Sequence, residues 1–236
     1  MHWVVLAFYL VFLSGCGTTG TVPVRDGSNW DSPQYHRVKG GDTLYSISWR
    51  YHLDYKSVAE TNDIKPPYTI YVDQKILLRG KRSSKTEKEV NNKAIRKKKP
   101  VLTDTKPKKM TSSKDNLSWQ WPIKGKVIKD FSLSGTINKG VGIKGSLGQR
   151  VNAAADGTVV YAGGNLRGYG KLIILKHNSR LLSAYGNNQE IRVSEGEEVR
   201  VGQMIAKLGS STSTAEMLHF EIRVDGRPAN PLNYLP

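Results

Sequence analysis

Cysteine is almost absent. Cys16 is the single one in 236 residues, so no disulfide can form within the chain and no cysteine-built zinc module fits. Also missing is an apolar run that could cross a bilayer as an ordinary helix, which takes about 20 residues. The stretch from Trp3 to Phe12 falls well short of that. Acidic residues are scarce: 20 Asp and Glu stand against 36 Lys and Arg, for a formal charge of +16. Such an excess points to an anionic partner or surface. The deficit is uneven. Residues 81–117 hold 13 Lys and Arg but 4 Asp and Glu, which places +9 of the total there. That segment lacks aromatic residues and apolar periodicity, and reads as a disordered, self-repelling spacer. Its Arg96-Lys-Lys-Lys99 run invites a nucleic-acid reading. With no aromatics interleaved, bases would have nothing to stack on.

What is present at the N-terminus is a secretory signal. The Trp3 to Phe12 run suits its apolar core, and Leu13-Ser-Gly-Cys16 follows. This tetrapeptide resembles the bacterial lipobox. The resemblance implies cleavage before Cys16 and a diacylglycerol on its thiol. Acyl chains contribute about 0.8 kcal/mol per buried methylene, so a multiply acylated Cys16 would anchor the mature chain. Gly17 stands where lipoproteins retained at the inner membrane often carry Asp, which implies the outer membrane, facing the periplasm. The n-region departs from the usual pattern, with His2 but no Lys or Arg. The alternative is an ordinary cleaved signal with an incidental cysteine. An exported chain does not meet the nucleoid, a second reason to set nucleic acid aside. Residues 1–15 are then a signal peptide. Residues 16–34, rich in Gly, Thr, Ser, Pro and Asp, are a tether.

Residues 35–80 carry the first folded pattern. Val38 ends a short strand and Asp42 is a plausible N-cap; Leu44, Ile47 and Tyr51 then share a helical face. Asp54 can cap a second helix with Val58 and Ala59 inward, Asn62 can stop it, and Ile76-Leu-Leu78 reads as a closing strand. Strand, helix, helix, strand with Gly41-Asp-Thr-Leu44 and Asn62-x-Ile64 resembles a LysM domain. One departure is Asp73-Gln74, where that family commonly has Gly-Gln. LysM domains bind the N-acetylglucosamine part of peptidoglycan or chitin. The resemblance nominates Gly41, Asp42, Thr43 and Leu44 with Asn62, Asp63, Ile64 and Lys65. Asp42 as a cap and Leu44 as core have structural duties that compete with sugar binding.

Residues 118–236 change texture to short strands between Gly-rich turns. Leu172-Ile-Ile-Leu175 and Leu181 to Tyr185 flank a His-Asn-Ser turn and read as a hairpin. Residues 199–207 read as a further strand-pair region. His219 to Val224 followed by Asp225-Gly226 predicts a final hairpin. Many strands and little helix argue an antiparallel β domain. Trp119-Gln-Trp-Pro122, Gly168-Tyr-Gly170 and Gly202-Gln203 make it resemble the LytM-type (lysostaphin-like) cell-wall endopeptidases, with a duplicated-hybrid-motif-like fold. Active members carry His-x-Gly-x-Asp, Tyr-x-His and His-x-His. At the corresponding positions stand Asn138, Gly142, Asn187, Met217 and His219. A catalytic zinc needs three protein ligands and an open position. The family draws them from the first His, the Asp and the last His, and of these only His219 survives. Asn187 and Met217 replace the assisting histidines and cannot move a proton near neutral pH. Rescue by Glu221, His177, Glu216 or Asp130 stays open, although Glu221 belongs to the family's Leu-His-Phe-Glu-Ile-Arg run.

The whole is therefore multi-domain: a small α+β LysM unit (βααβ), a disordered basic linker, and a mainly-β degenerate LytM-like unit. That order is similar to the NlpD type of division lipoprotein. The resemblance implies binding to peptidoglycan and activation of a periplasmic N-acetylmuramoyl-L-alanine amidase, with no cofactor, no metal and no catalysis by this chain. It places the amidase-binding groove at Asn138, Lys139, Val141, Tyr169, Tyr185, Asn187, His219 and Arg223. For Arg223 a surface salt bridge is an equal alternative, and Tyr169 and Tyr185 could simply pack the cleft wall. Two other functions compete: a wall-binding structural module, and a cryptic zinc endopeptidase.

Overall fold

The structure, a computed structural model, describes residues 33–79, 117–209 and 216–236. The signal, Cys16, nearly all of the tether and the basic segment up to residue 116 lie outside the described residues.

In the first unit β1 (Tyr35–Arg37) pairs antiparallel with β2 (Lys75–Leu77), and α1 (Leu44–Tyr51) and α2 (Tyr55–Thr61) run between them. Leu44 and Ile47 are buried with Val38, Val58, Ala59 and Ile76, as their spacing predicts. The cap of α1 is a correction. Thr43, not Asp42, caps it: Thr43 Oγ1 accepts from the Ser46 amide at 3.0 Å, and Ser46 Oγ accepts from the Thr43 amide at 3.0 Å. This is a capping box with Ser in the place of the usual Glu or Gln. The Asp42 carboxylate is drawn inward instead, to the Lys39 amide at 2.9 Å and His36 Nε2 at 2.8 Å. Asp54 does cap α2, and Asn62 ends it, exchanging two 2.8 Å hydrogen bonds with the Leu77 backbone. Asp73 has φ +69°, a left-handed backbone that explains a family preference for Gly there.

The second unit is one antiparallel sheet with strands β3 (Val127–Lys129), β4 (Val141–Lys144), β5 (Arg150–Asn152), β6 (Gly157–Gly163), β7 (Lys171–Lys176), β8 (Leu181–Ile191), β9 (Glu198–Val199), β10 (Met204–Leu208), β11 (Met217–Val224) and β12 (Arg227–Ala229). Its main path runs β3-β4-β11-β8-β7-β6-β9, with β12 on β11 and β10 joining β5 to β8. Both expected hairpins form, β7–β8 and β11–β12. The second turns at Asp225 and Gly226 with φ +48° and +77°, as an Asp-Gly pair favours. Residues 199–207 do form strands, but β9 pairs with β6 and β10 with β5 and β8 rather than with each other.

Alternation sorts β11. Leu218, Phe220 and Ile222 enter the main core with Val141, Ile143, Ile173, Leu175 and Tyr185. Met217, His219, Glu221 and Arg223 take the other face. In β7 the run Leu172 to Leu175 is buried throughout, because that other face is covered too. Leu172 and Ile174 pack against Tyr45, Trp49 and Tyr55 of the first unit. Polar bonds complete the contact: Thr43 Oγ1 donates to the Val160 carbonyl, Arg50 to the Asn165 carbonyl, and Asn165 Nδ2 to the Gly40 carbonyl, each at 3.2 Å. At Gly226 the approach is close enough that a Cβ would stand 2.6 Å from the Leu53 carbonyl oxygen.

Candidate functional site: the vacated cleft

The cleft is built where β11 lies between β4 and β8. Its register sets His219 opposite Gly142 on one side and Gly186 on the other. The strand positions that bear two of the family's zinc ligands are therefore still adjacent, and one of them has lost its side chain. It has also lost its room: a Cβ on Gly142 would stand 2.9 Å from Met217 Sδ and 2.9 Å from Lys129 Cβ. Met217, itself 5% exposed, fills the space an aspartate there would need. Asn138 is turned to backbone service, donating from Nδ2 to the Asp130 carbonyl at 2.8 Å. Asn187 sits at φ +65°, a conformation asparagine tolerates, and its amide donates to the Met217 carbonyl at 3.1 Å.

At the centre is Glu221. Its Oε1 takes the Tyr169 hydroxyl at 2.8 Å and His219 Nε2 at 2.9 Å. Its Oε2 accepts from Arg223 Nε and Nη2 at 3.1 and 2.9 Å. Burial would raise the Glu221 carboxyl, but Arg223, His219 and Tyr169 outweigh it and hold it at about 2, so it is ionised. Burial and the Glu221 charge push the Tyr169 phenol up, which keeps it a neutral donor. Arg223 is 0% exposed, so it is not the surface ion pair that was its alternative. Its Nη1 donates to the Trp49 carbonyl at 2.7 Å, and its guanidinium lies 3.6 Å from the centre of the Trp49 ring. Beside it, Lys139 Nζ stands 2.7 Å from His52 Nε2. Burial and Arg223 draw Lys139 down to about 8. Burial, Arg223 and Lys139 draw His52 down to about 3, so the ring is neutral and accepts from the ammonium.

Of the eight groove residues expected from the sequence, Lys139, Tyr169, His219 and Arg223 are gathered around Glu221, while Asn138, on the loop before β4, and Asn187, within β8, flank them. Val141 and Tyr185 are corrections. Both are 0% exposed and face the main core, and the Tyr185 hydroxyl accepts from the Ala154 amide at 2.8 Å. Trp49 and His52 were missed. They come from α1 and its end, and no local pattern marks a helix of one unit as the cover for a strand of another.

The residues present do not suit zinc. Asn138 offers an amide already bonded and Gly142 offers nothing. The rescue candidates are dispersed: His177 bonds the Asp156 carbonyl and Ser183 Oγ, and Glu216 Oε2 accepts from the Leu147 amide. Among the described residues no three His, Cys, Asp or Glu side chains are placed to share a metal. In the first unit, Thr43 and Asn62 are occupied at the helix ends, Leu44 is core, and Asp42 is held by His36 and the Lys39 amide. Gly41, Asp63 and Lys65 are exposed and Ile64 is half-buried.

Comparison with known proteins adds to this geometry. The profile for Peptidase family M23 matches residues 136–231, and that for the LysM domain matches residues 36–79. A Pseudomonas aeruginosa protein named lipoprotein NlpD/LppB homolog is 41% identical over 227 residues, covering 84% of this chain and 76% of its own. The Escherichia coli lipoprotein YgeR is 38% identical, covering 96% and 89%. The Escherichia coli protein named murein hydrolase activator NlpD is 36% identical, covering 85% and 67%.

Proposed function

Since the chain belongs to the NlpD/LppB family of lipoproteins, we propose that it is an outer-membrane lipoprotein, anchored at Cys16, that grips peptidoglycan and activates a periplasmic N-acetylmuramoyl-L-alanine amidase for septal wall cleavage. It does so without hydrolysing the wall itself. One observation carries this reading: the cleft between β4 and β11 keeps its register, while its metal donors are gone and Glu221 is saturated by Tyr169, His219 and Arg223. A relative's name, murein hydrolase activator, supports the same direction. The partner's regulatory segment would meet the accessible rim, Asn138, Lys139 and His219. The loop before Asn138 adds apolar area there, with Leu133 52% and Ile137 42% exposed. To activate, this surface must bind the active conformer of the amidase better than the inhibited one. Glycan contact falls to the loops around Gly41 and Asp63–Lys65.

The deciding experiment incubates the purified full chain with a purified amidase and dye-labelled wall. Faster release is the expected result. An unchanged rate together with retained wall binding would leave only a structural wall-binding module. Zinc content of the same sample tests the endopeptidase alternative, which requires stoichiometric metal in the unaltered chain.

A further inference from the structure

The contact between the two units engages the sugar-binding loop and the cleft at once. On that loop the side chains of Asp42, Thr43 and Leu44 are taken up by the helix start and the core. The backbone of Gly40 and Gly41 is left to meet a sugar. Both residues are exposed, yet the second unit already touches them. Asn165 Nδ2 donates to the Gly40 carbonyl at 3.2 Å, and a Cβ on Gly41 would stand 2.5 Å from the same nitrogen. Asn165 lies between β6 and β7, and Arg50 holds it in place by donating to its backbone carbonyl at 3.2 Å. Its side chain is a planar amide with N–H donors. The N-acetyl group of an amino sugar is a planar amide with an N–H donor as well. The loop's acceptor therefore already carries the chemistry of its expected ligand, supplied from within the chain.

The cleft is covered by the same contact. The Trp49 ring lies on Arg223, Tyr169 packs against the cluster that holds Trp49, and His52 Nε2 meets Lys139 Nζ at 2.7 Å. Tyr45, Trp49 and Tyr55 bury apolar surface on Leu172 and Ile174, which makes the docked form the resting one.

We propose that Asn165 is a built-in substitute for the sugar's acetamido group, and that glycan displacing it from the Gly40–Gly41 loop loosens α1 from the cleft. The inference rests on the proposed function and adds its regulation: wall glycan on the first unit readies the second for its partner. Glycan and partner both favour the undocked form, so each strengthens the binding of the other. A contact that never opens is the competing arrangement.

The test titrates the purified full chain with a peptide-free N-acetylglucosamine oligomer. Asn165→Ala should bind the oligomer about fivefold more tightly than the parent chain, the worth of one net hydrogen bond. Trp49→Ala, which weakens the contact from its other end, should act in the same direction; thermal unfolding checks that both variants fold. Saturating oligomer should enlarge the radius of gyration of the parent chain in small-angle scattering. It should also tighten binding of a purified amidase at least fivefold, with the amidase tightening oligomer binding by the same factor. Equal oligomer affinity in the parent chain and both variants, or an unchanged radius at saturation, overturns the inference and leaves wall binding standing. Oligomer and amidase that bind independently of each other overturn it too, with both parts of the proposed function intact. If the oligomer binds none of the three chains, the wall-binding reading and the inference fall together.

Discussion

Arg223 shows how much one side chain carries here. It neutralises a buried carboxylate, stacks on an indole and donates to a carbonyl of the other unit. Arg223→Ala would leave Glu221 ionised and buried without its main partner. A loss of about 3–5 kcal/mol is expected from urea unfolding. Arg223→Lys should recover only part, because an ammonium cannot make the two-pronged contact or lie flat on the ring. The replacement of the family's metal-site residues was legible in the sequence, since it is a matter of residue identity at Asn138, Gly142, Asn187 and Met217. The burial of Arg223 was not. Period-two alternation places it with His219 but does not say whether that face meets water or protein.

Elements were legible wherever a local rule decided them. The Leu44, Ile47 and Tyr51 spacing, the Asp54 cap and the Asp225-Gly226 turn all hold. The start of α1 shifted by one residue because His36 and the Lys39 amide compete for Asp42, leaving Thr43 to bond the first turn. Thr43→Ala should therefore cost about 1 kcal/mol, read as a lower denaturation midpoint; a neutral effect would mean the cap lies elsewhere. Val141 and Tyr185 were misplaced for a related reason. Their family motifs are contiguous in sequence, whereas a strand sends successive side chains to opposite faces.

At the scale of the whole molecule, α1 of one unit serves as cover for the sheet of the other. Trp49 is 2% exposed and belongs to the shared cluster with Tyr161, Leu172 and Ile174, not to the first unit's own core around Leu44 and Ile47. Trp49→Ala should thus leave that unit folded and loosen its docking, seen as a larger radius of gyration in small-angle scattering. An unchanged radius would contradict the role given to the ring. Acid should act on the molecule as well. Burial, with Arg223 and Lys139 adding to it, lowers His52 to about 3; burial lowers His177 to about 4, against an opposing bond to the Asp156 carbonyl. Both folded values lie below the ordinary 6.5, so the unfolded chain binds more protons. This contribution is complete above about pH 6.5 and declines as pH falls toward 4. Urea midpoints between pH 6.5 and 5, where few carboxylates titrate, should drop; a flat profile would show that these rings gain no protons on unfolding.

The sequence by itself determined the two fold classes, the basic composition of residues 81–117 and the replacement of the family's zinc donors at Asn138 and Gly142. Each of these follows from residue type and short-range period, which a chain carries before it folds. The tertiary structure decided what surrounds those positions: a carboxylate saturated by its neighbours and an arginine sealed under a tryptophan. Those depend on which surfaces come together across a hundred or more residues, and no window of sequence encodes such a meeting.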